Sequence, residues 1–320
     1  MIDLHVHLDG SLSPDLIRSL AQKQGVCLPD PLSPHIQASP HCQDLNEYLR
    51  CFDLPLLLLQ TPQNMELAVR DLIGRLHAQG LWYAEIRFAP QLHTREHYSQ
   101  EDILKGALSG LGDAPFPVCL ILCCMRGEGN ERENLETLRL TSLYLGKGVC
   151  ALDLAGAEGL YPTGSYEDLF AAARSARVPF TIHAGEAAGP ESIRFAIRFG
   201  AARIGHGVRL REDPGLLEEV LSRRIPLELC PSSNLQTRAV SSATDYPLRD
   251  YLRRGLPVTV NTDNMTVSQT TLLNEYRLLS LTPEEIRQVN LYSIQAAFAP
   301  ESVKTALRSR LENCWVTIDR

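Results

Sequence analysis

Eight short apolar runs punctuate the chain, at 2–7, 82–88, 118–123, 149–154, 179–183, 202–206, 226–230 and 257–262. Each is rich in Val, Ile and Leu and bounded by Gly, Pro or polar residues, the pattern of a strand buried in a parallel sheet. Helix-like stretches such as 64–77, 166–175, 191–199 and 214–221 lie between them. Eight strands alternating with helices predict an α/β fold, a (β/α)8 TIM barrel, rather than an open doubly wound sheet. No G-x-G-x-x-G follows any of the runs, which removes the usual dinucleotide-binding signature. At 320 residues, 1–320 is expected to be a single barrel domain. The later runs follow one another at the spacing of a compact βα unit, but roughly eighty residues separate the starts of the first two. Extra helices are therefore expected after strand one, over the C-terminal barrel face where this fold builds its active sites.

Charge and composition narrow the function. A net charge of −7, from 31 basic and 38 acidic side chains, is a poor footprint for a nucleic-acid binder. No apolar run approaches the roughly 20 residues that cross a bilayer. The start of the chain, Met1-Ile2-Asp3-Leu4-His5, lacks the basic and apolar regions of a secretory signal. The nine cysteines are odd in number, scattered, and form no C-x-x-C pair, so reduced structural thiols are expected. A cytoplasmic protein is expected, with no nucleic-acid or membrane partner and no obligate protein partner.

The chemistry gathers at the strand ends. Strand one finishes in His5-Val6-His7 followed by Asp9; strand five runs into His183-Ala184-Gly185-Glu186; strand six closes on His206; strand eight leads to Asp263-Asn264. His5 and His7 are two apart and so project to the same side of a strand, the barrel interior. Together with His183 and Asp263 they make three imidazoles and a carboxylate, a set suited to zinc or a similar divalent ion with a position left for water. Glu186 stands close enough to reach a water or a substrate, and His206 is either a further imidazole ligand or an orienting group. Asp9, Arg87 and Asp153 are candidates for substrate contacts or supports, with a buried ion pair as the other reading of Arg87 and Asp153. His35, His41, His77, His93 and His97 are expected at the surface. Ser232 and Ser233 lack a nucleophile elbow. The deaminase type built on P-C-x-x-C is excluded because that cysteine pair is missing.

Several segments together resemble the adenosine deaminase family of metal-dependent hydrolases. They are His5-Val6-His7-Leu8-Asp9-Gly10-Ser11-Leu12, Ile121-Leu122-Cys123-Cys124-Met125-Arg126, Asp153-Leu154-Ala155-Gly156, His183-Ala184-Gly185-Glu186, Arg203-Ile204-Gly205-His206-Gly207, Glu228-Leu229-Cys230-Pro231 and Asn261-Thr262-Asp263. They occur in the family's order from the first strand to about residue 300. The resemblance implies zinc-dependent hydrolytic deamination of adenosine and 2′-deoxyadenosine to inosine and 2′-deoxyinosine, with ammonia released. One Zn2+ per chain would be held by His5, His7, His183 and Asp263. Glu186 would donate a proton to purine N1, and His206 would orient and stabilise the attacking hydroxide. His7, Asp9, Gly156 and Asn264 would line the substrate, with Asp9 on a ribose hydroxyl and the Gly156 backbone at purine N3. The 49–59 region, including Phe52, resembles the family's apolar wall. Many members carry a second aspartate, contacting purine N7, where this chain has Asn264. N7 is an acceptor, and an amide always carries donors for it.

Two rival readings go with the resemblance. One is a deaminase of another 6-aminopurine, such as adenine or an aminodeoxyfutalosine-type nucleoside. His7-Leu8-Asp9-Gly10 favours a nucleoside, because adenine-specific relatives tend to carry Glu at the Asp9 position. The other is a catalytically inactive binding protein on the same barrel, against which stand the complete ligand set and Glu186. No strand-four lysine is available to bridge two metals.

Overall fold

All eight apolar runs are strands: Ile2–His7 (β1), Tyr83–Phe88 (β2), Val118–Met125 (β3), Val149–Ala155 (β4), Thr181–Ala184 (β5), Arg203–His206 (β6), Leu227–Leu229 (β7) and Val258–Val260 (β8). The computed structural model describes residues 1–316; the end of the expected 1–320 unit, 317–320, lies outside the described residues. β7 and β8 are shorter than their apolar runs because Pro226, Pro231 and Pro257 flank them, and proline cannot donate to a ladder. The strands pair in parallel as β1-β2-β3-β4 and β5-β6-β7-β8. Two seams join the halves. Leu152 of β4 bridges Phe180, just before β5, and Val6 of β1 bridges Asp263, just after β8. At the second seam His7 N–H donates to the Asp263 carbonyl (2.6 Å) and Asp263 N–H to the His5 carbonyl (2.8 Å). The barrel is closed.

The expected insertion after β1 is present as Pro14–Gln24 (α1), Leu45–Leu49 (α2) and Asp53–Leu58 (α3), before Pro62–Ala78 (α4). Then follow Gln100–Leu111 (α5), Glu131–Tyr144 (α6), Glu167–Ser175 (α7), Pro190–Phe199 (α8), Pro214–Arg223 (α9), Pro231–Gln236 (α10), Leu248–Arg253 (α11), Leu272–Leu278 (α12), Pro283–Ala296 (α13) and Glu301–Val316 (α14). Local signals place the ends. Ser13, Thr61, Asp213 and Thr282 cap α1, α4, α9 and α13, each followed by proline in the first turn. Among the described residues no helix is long and apolar enough to cross a membrane.

Alternation along the strands separates two environments. Leu4, Ile86, Leu122, Leu152, Ile182, Ile204, Leu227 and Val258 face the helices and form the apolar core between barrel and helical layer. The inward residues are a different population: Asp3, His5, Glu85, Arg87, Asp153, Thr181, Arg203, Glu228 and Thr259 are all buried. An ionic network thus runs along the barrel axis. Glu228 accepts from Arg203 Nε (2.5 Å), Arg87 Nη2 (2.9 Å) and Thr181 Oγ1 (3.0 Å), and Arg87 Nη1 also donates to Asp153 (2.9 Å). Of the five histidines expected at the surface, His93 is buried: a short 3-10 turn after β2 tucks it under Leu59, whose carbonyl lies 2.9 Å from its Nδ1. The other four are exposed.

Candidate active site

The C-terminal ends of β1, β5 and β8 bring three ring nitrogens and a carboxylate to one point. His5 Nε2 and His7 Nε2 lie 3.1 and 3.2 Å from His183 Nε2. Asp263 Oδ1 is 3.5 Å from His5 Nε2 and 3.4 Å from His7 Nε2. His206 closes on the same group, its ring centroid 5.0 Å from that of His5, and His5, His183, His206 and Asp263 form a compact buried set that could hold a metal ion.

The outer nitrogens decide which way each ring works. His5 Nδ1 is 2.7 Å from Glu228 Oε2, and His183 Nδ1 is 3.0 Å from Asp153 Oδ2. A carboxylate there accepts a hydrogen bond from Nδ1–H and keeps the proton on that nitrogen, so the Nε2 atoms of His5 and His183 present lone pairs inward. Two lone pairs about 3 Å apart beside a carboxylate repel unless a cation sits among them, so the donor set fits a divalent metal. His206 is oriented oppositely. Tyr246 donates to Asn234 Oδ1 (2.8 Å), which leaves the Asn234 amide NH2 to face His206 Nδ1 (2.9 Å). Nδ1 must then accept, the proton is on Nε2, and His206 points a donor into the site. Burial keeps this imidazole well below its ordinary pKa, and therefore neutral.

Backbone geometry re-aims these side chains. Along β6, Ile204 faces the helices, so strict alternation would turn His206 outward as well. Its left-handed φ of 60° swings the ring inward, and Asp263 adopts φ 57°. Holding a non-glycine residue in this region costs of order 1–3 kcal/mol, and here it aims both side chains at the cluster.

Glu186 is buried beside the cluster. Oε2 lies 3.5 Å from His206 Nε2, and Oε1 accepts from Thr237 Oγ1 (3.1 Å). Burial first, then the negative charges of Asp263 and Glu158, raise its pKa to about 8. The loop that carries it is fixed by Glu158, whose carboxylate accepts the backbone N–H groups of Gly185, Glu186, Ala187 and Ala188 at 2.7–3.0 Å. Arg126, just after β3, fixes the end of β5 by donating to the His183 carbonyl at 2.6 Å.

A cavity of about 300 Å³ opens over the cluster and is lined by His7, Asp9, Gly156, His183, Glu186, His206, Asp263 and Asn264. Its outer wall is apolar, from Leu45, Tyr48, Leu49, Phe52 and Leu56 of the inserted helices. The wall thus begins a few residues before the expected 49–59 region. Asp9 is buried, and burial raises its carboxyl to about 6. Gly156 has φ 105°, and a Cβ there would press on Met125. Gly10 has no room for a Cβ at all, because the Asn264 side chain lies across it, with Asn264 Oδ1 buried and unpartnered.

The structure therefore brings His5, His7, Asp9, Gly156, His183, Glu186, His206, Asp263 and Asn264 to one site. Arg87 and Asp153 form a buried ion pair and do not line the cavity; Asp153 meets the site through His183 and through Cys123, whose thiol lies 3.7 Å from its carboxylate. Glu158, Asn234 and Thr237 went unnoticed in the sequence. Nothing local marks them, since each acts on a residue 28 to 51 positions away. Glu228 did have a signal, as a lone charge inside an apolar strand.

The adenosine deaminase family model matches residues 1–314. This chain belongs to the adenosine deaminase family. The adenosine deaminase of Haemophilus ducreyi is 53% identical over 98% of this chain and 95% of its own length. That of Enterococcus faecalis is 36% identical over 98% of this chain and 96% of its own. Among solved structures, adenine deaminase from Arthrobacter aurescens superposes with a TM-score of 0.90 at 28% identity, covering 99% of this chain and 98% of its own.

Proposed function

We propose that this member of the family hydrolyses adenosine and 2′-deoxyadenosine to inosine and 2′-deoxyinosine, releasing ammonia. The observation that carries the reading is the buried Glu186 carboxyl beside a convergent His/His/His/Asp cluster in one cavity, in a chain 53% identical to an adenosine deaminase. His5, His7, His183 and Asp263 would hold one zinc ion per chain. When bound, zinc supplies the Lewis acidity that makes hydroxide available at neutral pH.

The remaining work belongs to the chain. His206 Nε2–H donates to the incoming oxygen and fixes its direction. As that oxygen adds at purine C6, electron density moves onto N1, and the protonated Glu186 delivers its proton there; general acid catalysis of this kind contributes ~10²–10⁴-fold. The proton of the added hydroxyl passes to the amino nitrogen, the C6–N bond breaks, and ammonia leaves the 6-oxopurine behind. Asp9 accepts from a ribose hydroxyl, the Gly156 backbone meets N3, and Asn264 donates to N7. The apolar helices α2 and α3 cover the ring and exclude water.

The test is a panel of 6-aminopurines followed by ammonia release, with metal analysis of the same sample. Adenosine and 2′-deoxyadenosine should be turned over far better than adenine. Leaving Asp9 without its partner costs a base lacking ribose ~1–3 kcal/mol, about fivefold to 160-fold. Asp9→Ala should weaken nucleoside turnover and leave slow adenine turnover nearly unchanged. Equal kcat/KM for adenine and adenosine in the unaltered protein would transfer the assignment to adenine.

A further inference from the structure

At the opposite, N-terminal end of the barrel a second group of reactive side chains comes together: Glu85, Cys119 and Cys150. The β3–β4 register shifts between Leu120 and Ile121, leaving Cys150 as the extra residue between Val149 and Ala151. The shift sets the Cys150 thiol against that of Cys119. The two sulfurs are 2.8 Å apart although the residues are 31 positions apart in the chain. Cys150 is buried and Cys119 half-buried. Glu85 completes the triangle, but its oxygens are already engaged: Oε2 with Arg203 (2.6 Å), Oε1 with the Tyr83 hydroxyl (2.9 Å) and the Phe298 N–H (2.6 Å). A cation there would have to displace a buried guanidinium, so the pair of thiols, and not the triad, is the reactive unit.

We propose that Cys119 and Cys150 are a modification site, closing to a reversible disulfide when the protein meets a hydroperoxide. Neighbouring strands lie ~4.8 Å apart, and the extra residue at Cys150 brings its side chain across that gap onto Cys119. Sulfurs already in contact need move less than about 1 Å to bond. Cys119, the more accessible thiol, is the point of entry. Its thiolate attacks the peroxide O–O bond, which breaks to leave a sulfenic acid and, from hydrogen peroxide, the first water. The Cys150 sulfur then attacks the sulfenic sulfur; the S–S bond forms, the S–O bond breaks, and the second water leaves. Two thiols lose two electrons and two protons, and the peroxide takes up both. Burial raises the Cys150 thiol well above its ordinary pKa, so the less buried Cys119 and not Cys150 meets the peroxide first. The cross-link would staple two strands that are already neighbours.

Full-length protein treated with hydrogen peroxide, quenched with N-ethylmaleimide and digested with trypsin tests this directly. The tryptic peptides 106–126 and 148–174 should appear joined, two hydrogens lighter than their sum. Fragmentation should place the link on Cys119 and not on Cys123 or Cys124 of the same peptide, and dithiothreitol should separate the two. Cys119→Ser and Cys150→Ser should each abolish the joined species, and Cys123→Ser should keep it. The unaltered protein decides the question even where a variant folds poorly. Cys119 and Cys150 still alkylated after the exposed Cys27 has been oxidised would overturn the proposal. So would a link to another cysteine, or oxidation of Cys119 to a product that dithiothreitol does not reverse.

Discussion

Glu186 reaches the proposed N1 proton through burial and through its neighbours, and both leave a mark on pH dependence. The group is useful only while protonated, so the acid is fully present below its pKa and is lost as pH rises through about 8. kcat/KM should therefore fall on the alkaline side with a midpoint at or below that value, because a cation held by the adjacent cluster draws the pKa down. Glu186→Gln keeps the shape and removes the proton. Metal content should stay unchanged, turnover should fall by ~10²–10⁴-fold, and the alkaline limb should disappear from what activity remains. The histidines separate in the same way. Two overlapping sets of four surround the same point, one with His7 and one with His206, but the Asn234 amide makes His206 a donor. His206→Ala should thus retain the metal and lose turnover, whereas His7→Ala should lose both. Elemental analysis of the two purified variants checks this, and a metal-free His206→Ala protein would reverse the assignment.

The elements were legible in the sequence to different degrees, for physical reasons. Strands such as β2 and β4 stand out because one face of each must be apolar against the helices, and the cluster stands out because imidazoles and carboxylates end those strands. The polar axis was readable in part. Glu85, Arg87, Arg203 and Glu228 are charges inside otherwise apolar runs, which alternation requires to point inward. What those charges pair with was not readable, since Glu228 meets His5 across 223 positions. From pattern alone the inserted helices were foreseeable only as a length, because short pieces such as α2 and α3 carry too few turns for a clear period; their apolar wall was foreseeable only through the family resemblance. Their role is to be tested at the wall they form. Phe52 lines the apolar outer wall of the cavity. Phe52→Ala removes contact that the ground state and the transition state share, so KM should rise, by about tenfold, with kcat nearly unchanged. A large fall in kcat would instead make the wall part of the positioning apparatus.

At the scale of the whole barrel, the proposed metal site is also a clasp. Its ligands come from β1 in one half-sheet and from β5 and the end of β8 in the other. With the axis beneath them the ligands form an acid-rich interior: Asp263 in the cluster and Asp3, Glu85, Asp153 and Glu228 below it are buried with Arg87 and Arg203. A divalent ion therefore offsets excess negative charge and ties together strands whose β8–β1 seam rests on the pairing around Val6 and Asp263. The unfolded chain, with its ligands scattered from position 5 to position 263, offers no such site. Binding confined to the folded state stabilises by about 2.7 kcal/mol at a free metal concentration a hundredfold above Kd. Spread over the unfolding entropy of a chain this long, that corresponds to a Tm shift of about 4 °C, and more for tighter binding. Removing metal with a chelator should lower Tm by at least that amount while leaving far-ultraviolet circular dichroism unchanged, and adding back one equivalent of zinc should restore it. The same titration on His5→Ala should show no shift, because that ring is both a proposed ligand and the link from the cluster to Glu228. An apo protein as stable as the loaded one would mean that the barrel closes on its hydrogen bonds and ion pairs alone.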